Sequence, residues 1–491
     1  MKKNNSLALF IILFSAFLPH STCQASEKSK WISPKFVKEW EIKEIKPGMT
    51  PHIISITANS NGIFVLVNSK ETKYTPPKKL SEMTEKEKEK EIKEMKFLFG
   101  RILSDEERMQ HAGTFGKTEE INHYRLQQYD FEGNFHRQLP ENNLLRVSEK
   151  IKSKIGTFNV IVNGREGTVD STNELIKPLY VAPDYEGNLY LADYEGNKIV
   201  KFDSDGNVSD LWKIEHKKEL KGYYRDLGSQ RGFTIFKDRL YIISEGFDKK
   251  LGFAPRISEY DLNGKLIREK IIKPPKVPGQ MPITGKKIPF LKVEGEVTDI
   301  AVDKNLNLYL FAEDTRILIL DNKWNEKGYI KTVLKKGFEK PKPVYDPDRE
   351  KTINYDEVIL SGTGISFRNF SSEKLSRVET TPGLYYANKI HISPQEEIYV
   401  SFIGDKPFGV IDAMVFNKKG EMIGYWKHDK KIYLEWFDKL IDIQKLEVMD
   451  TELDMAFYEN NIFIGRTLYD RRGGDKFHTV IQKFIKEGKA K

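Results

Sequence analysis

Residues 184–207 read DYEGNLYLADYEGNKIVKFDSDGN, in which Asp-x-x-Gly-Asn begins at Asp184, Asp193 and Asp203. The Asp side chain can accept hydrogen bonds from backbone two residues on, and the Gly enters φ > 0 without strain, so each copy marks a tight reversal of the chain. Between the copies lie LYLA and KIVKF, whose length and content of Leu, Tyr, Ile, Val and Phe suit strands rather than helices. The stretch therefore predicts a four-stranded antiparallel meander. Alone, such a meander has exposed edges and too little core, so it must be one unit of something larger.

Units of the same kind recur along the chain. The turn FDSDGN (202–207) has counterparts in YDFEGN (129–134), YDLNGK (260–265), FNKKGE (416–421) and FIKEGK (484–489), with a looser one in LDNKWNEKG (320–328). Strand-turn-strand segments begin at Ile56, Val181, Phe233, Ile300, Ile390 and Met455. Six four-stranded antiparallel units in series predict an all-β chain, a six-bladed β-propeller in which each sheet covers its neighbour's face. The last unit lacks its outermost strand. Residues 36–45 (FVKEWEIKEI) match the fourth strands NVSDLWKI (207–214) and EMIGYWKH (421–428), Trp included, so the ring is expected to close through an N-terminal strand.

The run PLYVAPDYEGNLYLADYEGNKIVKFDSDGNV (178–208) resembles an NHL repeat in its hydrophobic strand, Asp-x-x-Gly-Asn turn, Tyr-x-x-Asp strand end and aromatic-Asp-x-x-Gly turn. The match is close in the second unit and degenerate in the others, while the period covers nearly all of the mature chain. The resemblance implies a six-bladed propeller like those of NHL-repeat and related extracytoplasmic bacterial proteins. That group is functionally mixed: many members bind proteins or other ligands, and some similar propellers are metal-dependent lyases or lactonases. Fold alone does not choose among them.

The ends and the composition set the compartment. Lys2 and Lys3 precede an apolar stretch, LALFIILFSAFL (7–18), too short to span a membrane and ended by Pro19, which reads as a signal peptide over residues 1–25. Two processing routes stay open: cleavage before Ser26, with Cys23 and Ala25 as the small residues, or lipidation of Cys23 after a loose lipobox. Cys23 is the only cysteine, so the mature fold has no disulfide, as suits a bacterial envelope protein that is periplasmic, secreted or anchored as a lipoprotein. The net charge of +8 arises from 80 Lys and Arg interspersed with 72 Asp and Glu, a mixed surface that argues against a nucleic-acid partner. No later segment is apolar enough to cross a membrane.

Residues 30–491 are expected to form one propeller with insertions at about 70–121 and 335–384. The first contains SEMTEKEKEKEIKEMKFLFGRILSDEERMQH (81–111), a predicted helical arm between the second and third strands of blade one, with a capping box from Thr84 to Glu87. Its Met95, Phe97, Leu98 and Phe99 offer a docking patch amid solvated charge. The second separates blades four and five. Asp203-Ser204-Asp205-Gly206-Asn207 imitates the start of a calcium loop without its later ligands and reads as a turn. No CxxCH or HExxH is present.

Aligning the first strands puts Thr57, Ala182, Thr234, Ala301 and Ala456 at one position, where blade five has His391. One reading is a structural histidine bonded to neighbouring backbone. The other is a polar axial cluster of His391, Asp299 and Asp454, with Asn388 nearby and Arg231 and Arg466 as rim charges, able to hold a divalent metal or a small anionic or hydroxylated ligand. No other cofactor is expected. Two functions follow: an extracytoplasmic binding or scaffold protein presenting one face to an envelope protein, peptide or glycan, or a metal-dependent lyase or hydrolase with its site in the central channel.

Overall fold

In a computed structural model of the chain, the described residues are 33–142, 144–155, 158–162, 165–169, 174–194, 196–214, 223–248, 252–253, 255–272, 276–279, 291–294, 297–312, 316–331, 344–346, 351–353, 387–402, 411–427, 448–470 and 476–486. The segment assigned to the signal peptide, with Cys23, and almost all of the 335–384 insertion lie outside them.

The opening stretch forms the second blade: strand a Pro178–Pro183, strand b Leu189–Asp193, strand c Lys198–Phe202 and strand d Val208–Lys213, hydrogen-bonded in that order. Six such four-strand paths make a β-propeller, and strand a of each blade touches strand a of the next all the way round. Strand a begins at His52, Pro178, Tyr223, Val297, Ala387 and Val448 in blades one to six. Blade six is completed by the N-terminal strand Lys35–Glu41, antiparallel to Lys476–Ile485, as the missing fourth strand required. A helix at Glu149–Ile155 and paired strands at Phe158–Val162 with Arg165–Val169, and Lys276–Gly279 with Leu291–Glu294, lie outside the repeat and are not foreseen by it.

The turns work as their sequence suggests. Asp184 Oδ1 accepts the backbone N–H groups of Glu186 and Asn188, both at 2.9 Å, and its Oδ2 accepts the Asn188 amide at 2.8 Å. Asp130, Asp203, Asp303 and Asp321 make the same cage, and Asn417 accepts from the equivalent two N–H groups. The calcium-like pentapeptide at Asp203 is thus a turn whose carboxylate is engaged by its own backbone. Gly206 and Gly264 sit at φ +82° in two of these turns, and a Cβ on Gly264 would lie 2.4 Å from the Trp212 ring of the preceding blade. Gly133 meets Trp40 of the N-terminal strand in the same way, which explains the recurrent tryptophan in the fourth strands.

Alternation along strand b supplies the cores. Leu189 and Leu191 pack towards blade one with Phe64 and Leu126, while Tyr190 and Ala192 pack towards blade three with Leu240 and Ile242. All five residues of this strand are buried, so both of its faces read as apolar, unlike a half-solvated antiparallel strand.

Antiparallel order fixes the faces of the disc. All a–b and c–d connections emerge on one side, and they are short turns such as those at Asp184 and Asp203. All b–c and d–a connections emerge on the other, and every long one is among them, including 76–116, 140–177, 272–296 and 332–386. We call this side the loop face.

Its best-described projection is the arm of blade one. Strands Gly62–Thr75 and Lys117–Tyr129 stay paired out to Thr75 and Lys117. Strand b is 14 residues long against five in blade two, so the hairpin projects roughly 30 Å further at a strand's rise per residue. The helix Glu85–Phe99 caps it. Thr84 and Glu87 form the expected capping box, and Gly100 at φ +70° ends the helix. A second helix, Asp105–Gln110, folds back. Between them Arg108, 1% exposed, binds Glu91 at 2.6 Å, Asp105 at 2.8 Å and the Lys78 carbonyl at 2.9 Å, beside buried Met95 and Leu103.

Candidate functional site

The register confirms the alignment of the first strands. Thr57, Ala182, Thr234, Ala301, His391 and Ala456 each stand opposite an aromatic residue of strand b: Phe64, Tyr190, Tyr241, Tyr309, Tyr399 and Phe463. Two residues earlier lies a second ring of equivalent positions, Ser55, Tyr180, Gly232, Asp299, Lys389 and Asp454. In five blades a β-bulge directly precedes this ring, the extra residue being Ile54, Leu179, Arg231, Thr298 or Asn388. A bulge releases backbone groups from the ladder and re-aims the next side chain.

Lys389 uses that freedom. It starts on blade five, yet its Nζ donates to Asp454 Oδ2 of blade six at 2.7 Å and to the bulge carbonyl of Ile54 in blade one at 3.0 Å. It also stands 5.4 Å from the ring centre of Tyr180 in blade two. Contacts with blades one and two place this side chain across the axis. Asn388, expected near the cluster, is the bulge residue, and its neighbour Lys389 holds the ring position instead.

Both predicted carboxylates belong to the ring, and both join blades. Asp454 Oδ2 also accepts the Ile56 N–H of blade one at 3.0 Å, while Asp299 Oδ2 accepts the equivalent Ile390 N–H of blade five at 3.0 Å. Gly232 leaves the space that Asp299 uses, since a Cβ there would come 3.1 Å from Asp299 Oδ1 and 2.9 Å from the Ile300 nitrogen. His391 Nε2 lies 3.1 Å from Asp454 Oδ1 but off the line of a hydrogen bond, leaving this buried nitrogen without an aligned partner. Burial opposes ionisation of Asp454, yet Lys389 and His391 hold it well below the ordinary carboxylate range. For Asp299 burial wins over Lys389, His391 and the N–H groups of Ile390 and Ile300, pushing it up to about 6.

The ammonium of Lys389 sits on Asp454, and both carboxylates also accept backbone N–H groups, so blade-joining bonds occupy part of this donor set. Among the described residues no group of three or more His, Cys, Asp and Glu side chains is arranged to hold a metal. Arg466 lies on strand b of blade six, fully buried rather than at the rim, and its charge is felt by Glu39 of the N-terminal strand. Arg231 and Asn388 are in strand a, at the bulge.

The raised Asp299 gives a pH signature. With a folded value of about 6 against about 3.9 unfolded, the folded state holds the extra proton between these values, so this group's contribution to stability is full below about pH 4 and lost as pH rises through 6. Asp299→Asn should remove a decline of roughly 2–3 kcal/mol over that window, measured by urea unfolding at pH 4 to 7. Identical slopes in the two proteins would contradict the assignment.

No protein-family model and no curated protein matches the chain. Among solved structures it is similar to a streptogramin B lyase, with 9% identity over 93% of this chain and 89% of that one and a TM-score of 0.34. A catalytically inactive virginiamycin B lyase from Staphylococcus aureus has 9% identity over 92% and 99% of the two chains, with a TM-score of 0.33. A neuraminidase-like protein of A/flat-faced bat/Peru has 8% identity over 94% and 97%, with a TM-score of 0.37.

Proposed function

We propose that this chain is an extracytoplasmic binding protein, a propeller of NHL-type repeats that engages a protein partner through its loop face, with the blade-one arm as the principal contact. The observation that carries this reading is the arm's division of labour. Buried Arg108, Met95 and Leu103 hold it in shape, while Phe97 is 86% exposed and Leu98, Ile102 and Met109 are also exposed. An ordered element that shows large apolar side chains to solvent, when it has a core of its own to bury them in, has the chemistry of an interface anchor rather than of a solvated loop. The patch suits a protein surface better than a glycan, whose hydroxyls would lose water against these four apolar side chains without gaining hydrogen bonds from them.

The rest of the reading concerns delivery. The basic and apolar start of the chain supports export, with Cys23 as a lipid attachment point or part of a cleavage site. Among the described residues no helix is long and apolar enough to cross a membrane. The enzyme alternative, a metal-dependent lyase or hydrolase, draws nothing from the axial cluster, whose carboxylates are committed to blade-joining bonds.

Phe97→Ser and Ile102→Ser, made together, should leave the melting temperature unchanged and weaken partner capture at least about tenfold, the loss expected when a hot-spot anchor is removed. Co-purification from envelope extract, quantified against the parent chain, measures it. Undiminished capture would remove the arm from the interface.

A further inference from the structure

We propose that the axial mouth is an alkylammonium-binding site and that Lys389 is its resident ligand. The three groups around Nζ are those that recognise a primary ammonium: a carboxylate at 2.7 Å, a carbonyl at 3.0 Å and an aromatic face at 5.4 Å. They come from blades six, one and two, so the surroundings are built by strands other than the lysine's own. The site is over-supplied with negative charge for one lysine, since Asp299 also feels the ammonium.

The geometry selects a ligand class. The acceptors are single atoms on separate blades, Asp454 Oδ2 and the Ile54 carbonyl oxygen, matching the divergent donors of an ammonium. A planar guanidinium would instead favour both oxygens of one carboxylate, and Asp454 Oδ1 is taken by the Met455 N–H at 2.8 Å. A hydroxyl of the same size lacks the charge that two buried carboxylates call for. In the intact chain the site is therefore self-occupied, and the lysine acts as a strap across the channel that ties blade five to blades six and one.

Truncating the strap should empty the site without removing its walls. The experiment follows thermal melting of full-length Lys389→Ala with n-propylammonium, which restores the deleted atoms, and with n-propanol, which restores them without charge. A ligand that binds only the folded state raises its melting temperature in a saturable way. The expected result is a lowered melting temperature for the variant, raised by propylammonium and not by propanol, with no response in the wild type or in Lys389→Ala combined with Asp454→Asn. No response in the single variant, an equal response to propanol, or a response that survives Asp454→Asn would overturn the proposal. If the variant is insoluble alone, soluble yield on refolding with each additive becomes the readout, and equal yields count against it.

Discussion

Deletion of the N-terminal residues through Lys43 should convert a folded ring into an aggregating one. The strand Lys35–Glu41 pairs with Lys476–Ile485 from Lys35 opposite Ile485 to Glu41 opposite Val480. It also reaches blade one: Trp40 packs on Gly133, and Lys38 binds Glu132 at 2.6 Å. The chain just beyond it continues the connection, with the Lys43 N–H donating to the Tyr129 hydroxyl at 2.8 Å and the Lys43 carbonyl accepting from Gln127 at 2.7 Å. Without these contacts a ten-residue edge strand lies open, with the row of unpaired backbone groups that templates association. The loss is of the order of a domain's whole stability, about 5–15 kcal/mol. Trp40→Ala alone removes a partly buried side chain, should cost about 1–3 kcal/mol and should remain measurable by denaturant unfolding. If the deleted chain stays monomeric on size exclusion and melts with the parent, the ring does not depend on this clasp.

The second large effect is expected at the axis. Lys389→Met keeps the stem of the side chain and removes its charge, leaving Asp454, almost completely buried, without its cation. Breaking a buried pair in this way costs about 3–5 kcal/mol, because the surviving charge stays desolvated. Asp454→Asn in the same chain relieves that charge while its amide oxygen can still accept the Ile56 N–H, so the double variant should recover part of the loss. A double-mutant cycle at neutral pH measures the coupling. Additive effects, or a single-variant loss below about 1 kcal/mol, would mean that the contact is incidental.

The repeat was legible because its turns need particular atoms. An Asp that cages two N–H groups and a Gly at φ > 0 leave few substitutes, so Asp184, Asp203 and their counterparts announce the blades. Even where the rule bends, the cage persists: Trp324 takes φ +64° in place of glycine, with Asp321 still accepting from Lys323 and Asn325. The position of His391 was legible for a similar reason, since each inner strand faces an aromatic partner. Lys389 was not. Whether a residue at the start of strand a sits in the ladder or bulges out is decided by pairing with strand b, and the bulge at Asn388 shifted the reading by one residue. A contact across the axis, between residues 335 positions apart in Lys389 and Ile54, leaves no local pattern. The helix Glu149–Ile155 and the strand pairs outside the repeat were opaque for the same cause, lacking a period, whereas the arm of blade one was legible from its Thr84–Glu87 capping box.

The claim that the loop face is the binding face can be tested by comparing the two sides of the disc in one experiment. A photo-crosslinking residue is placed at Phe97, on the arm, or at Tyr185, which is 76% exposed in an a–b turn on the opposite face. Both substitutions are at exposed side chains, so neither should disturb the core. After irradiation in envelope extract, a discrete protein adduct is expected from position 97 and none from position 185. Equal adducts from both positions, or an adduct from position 185 alone, would contradict it.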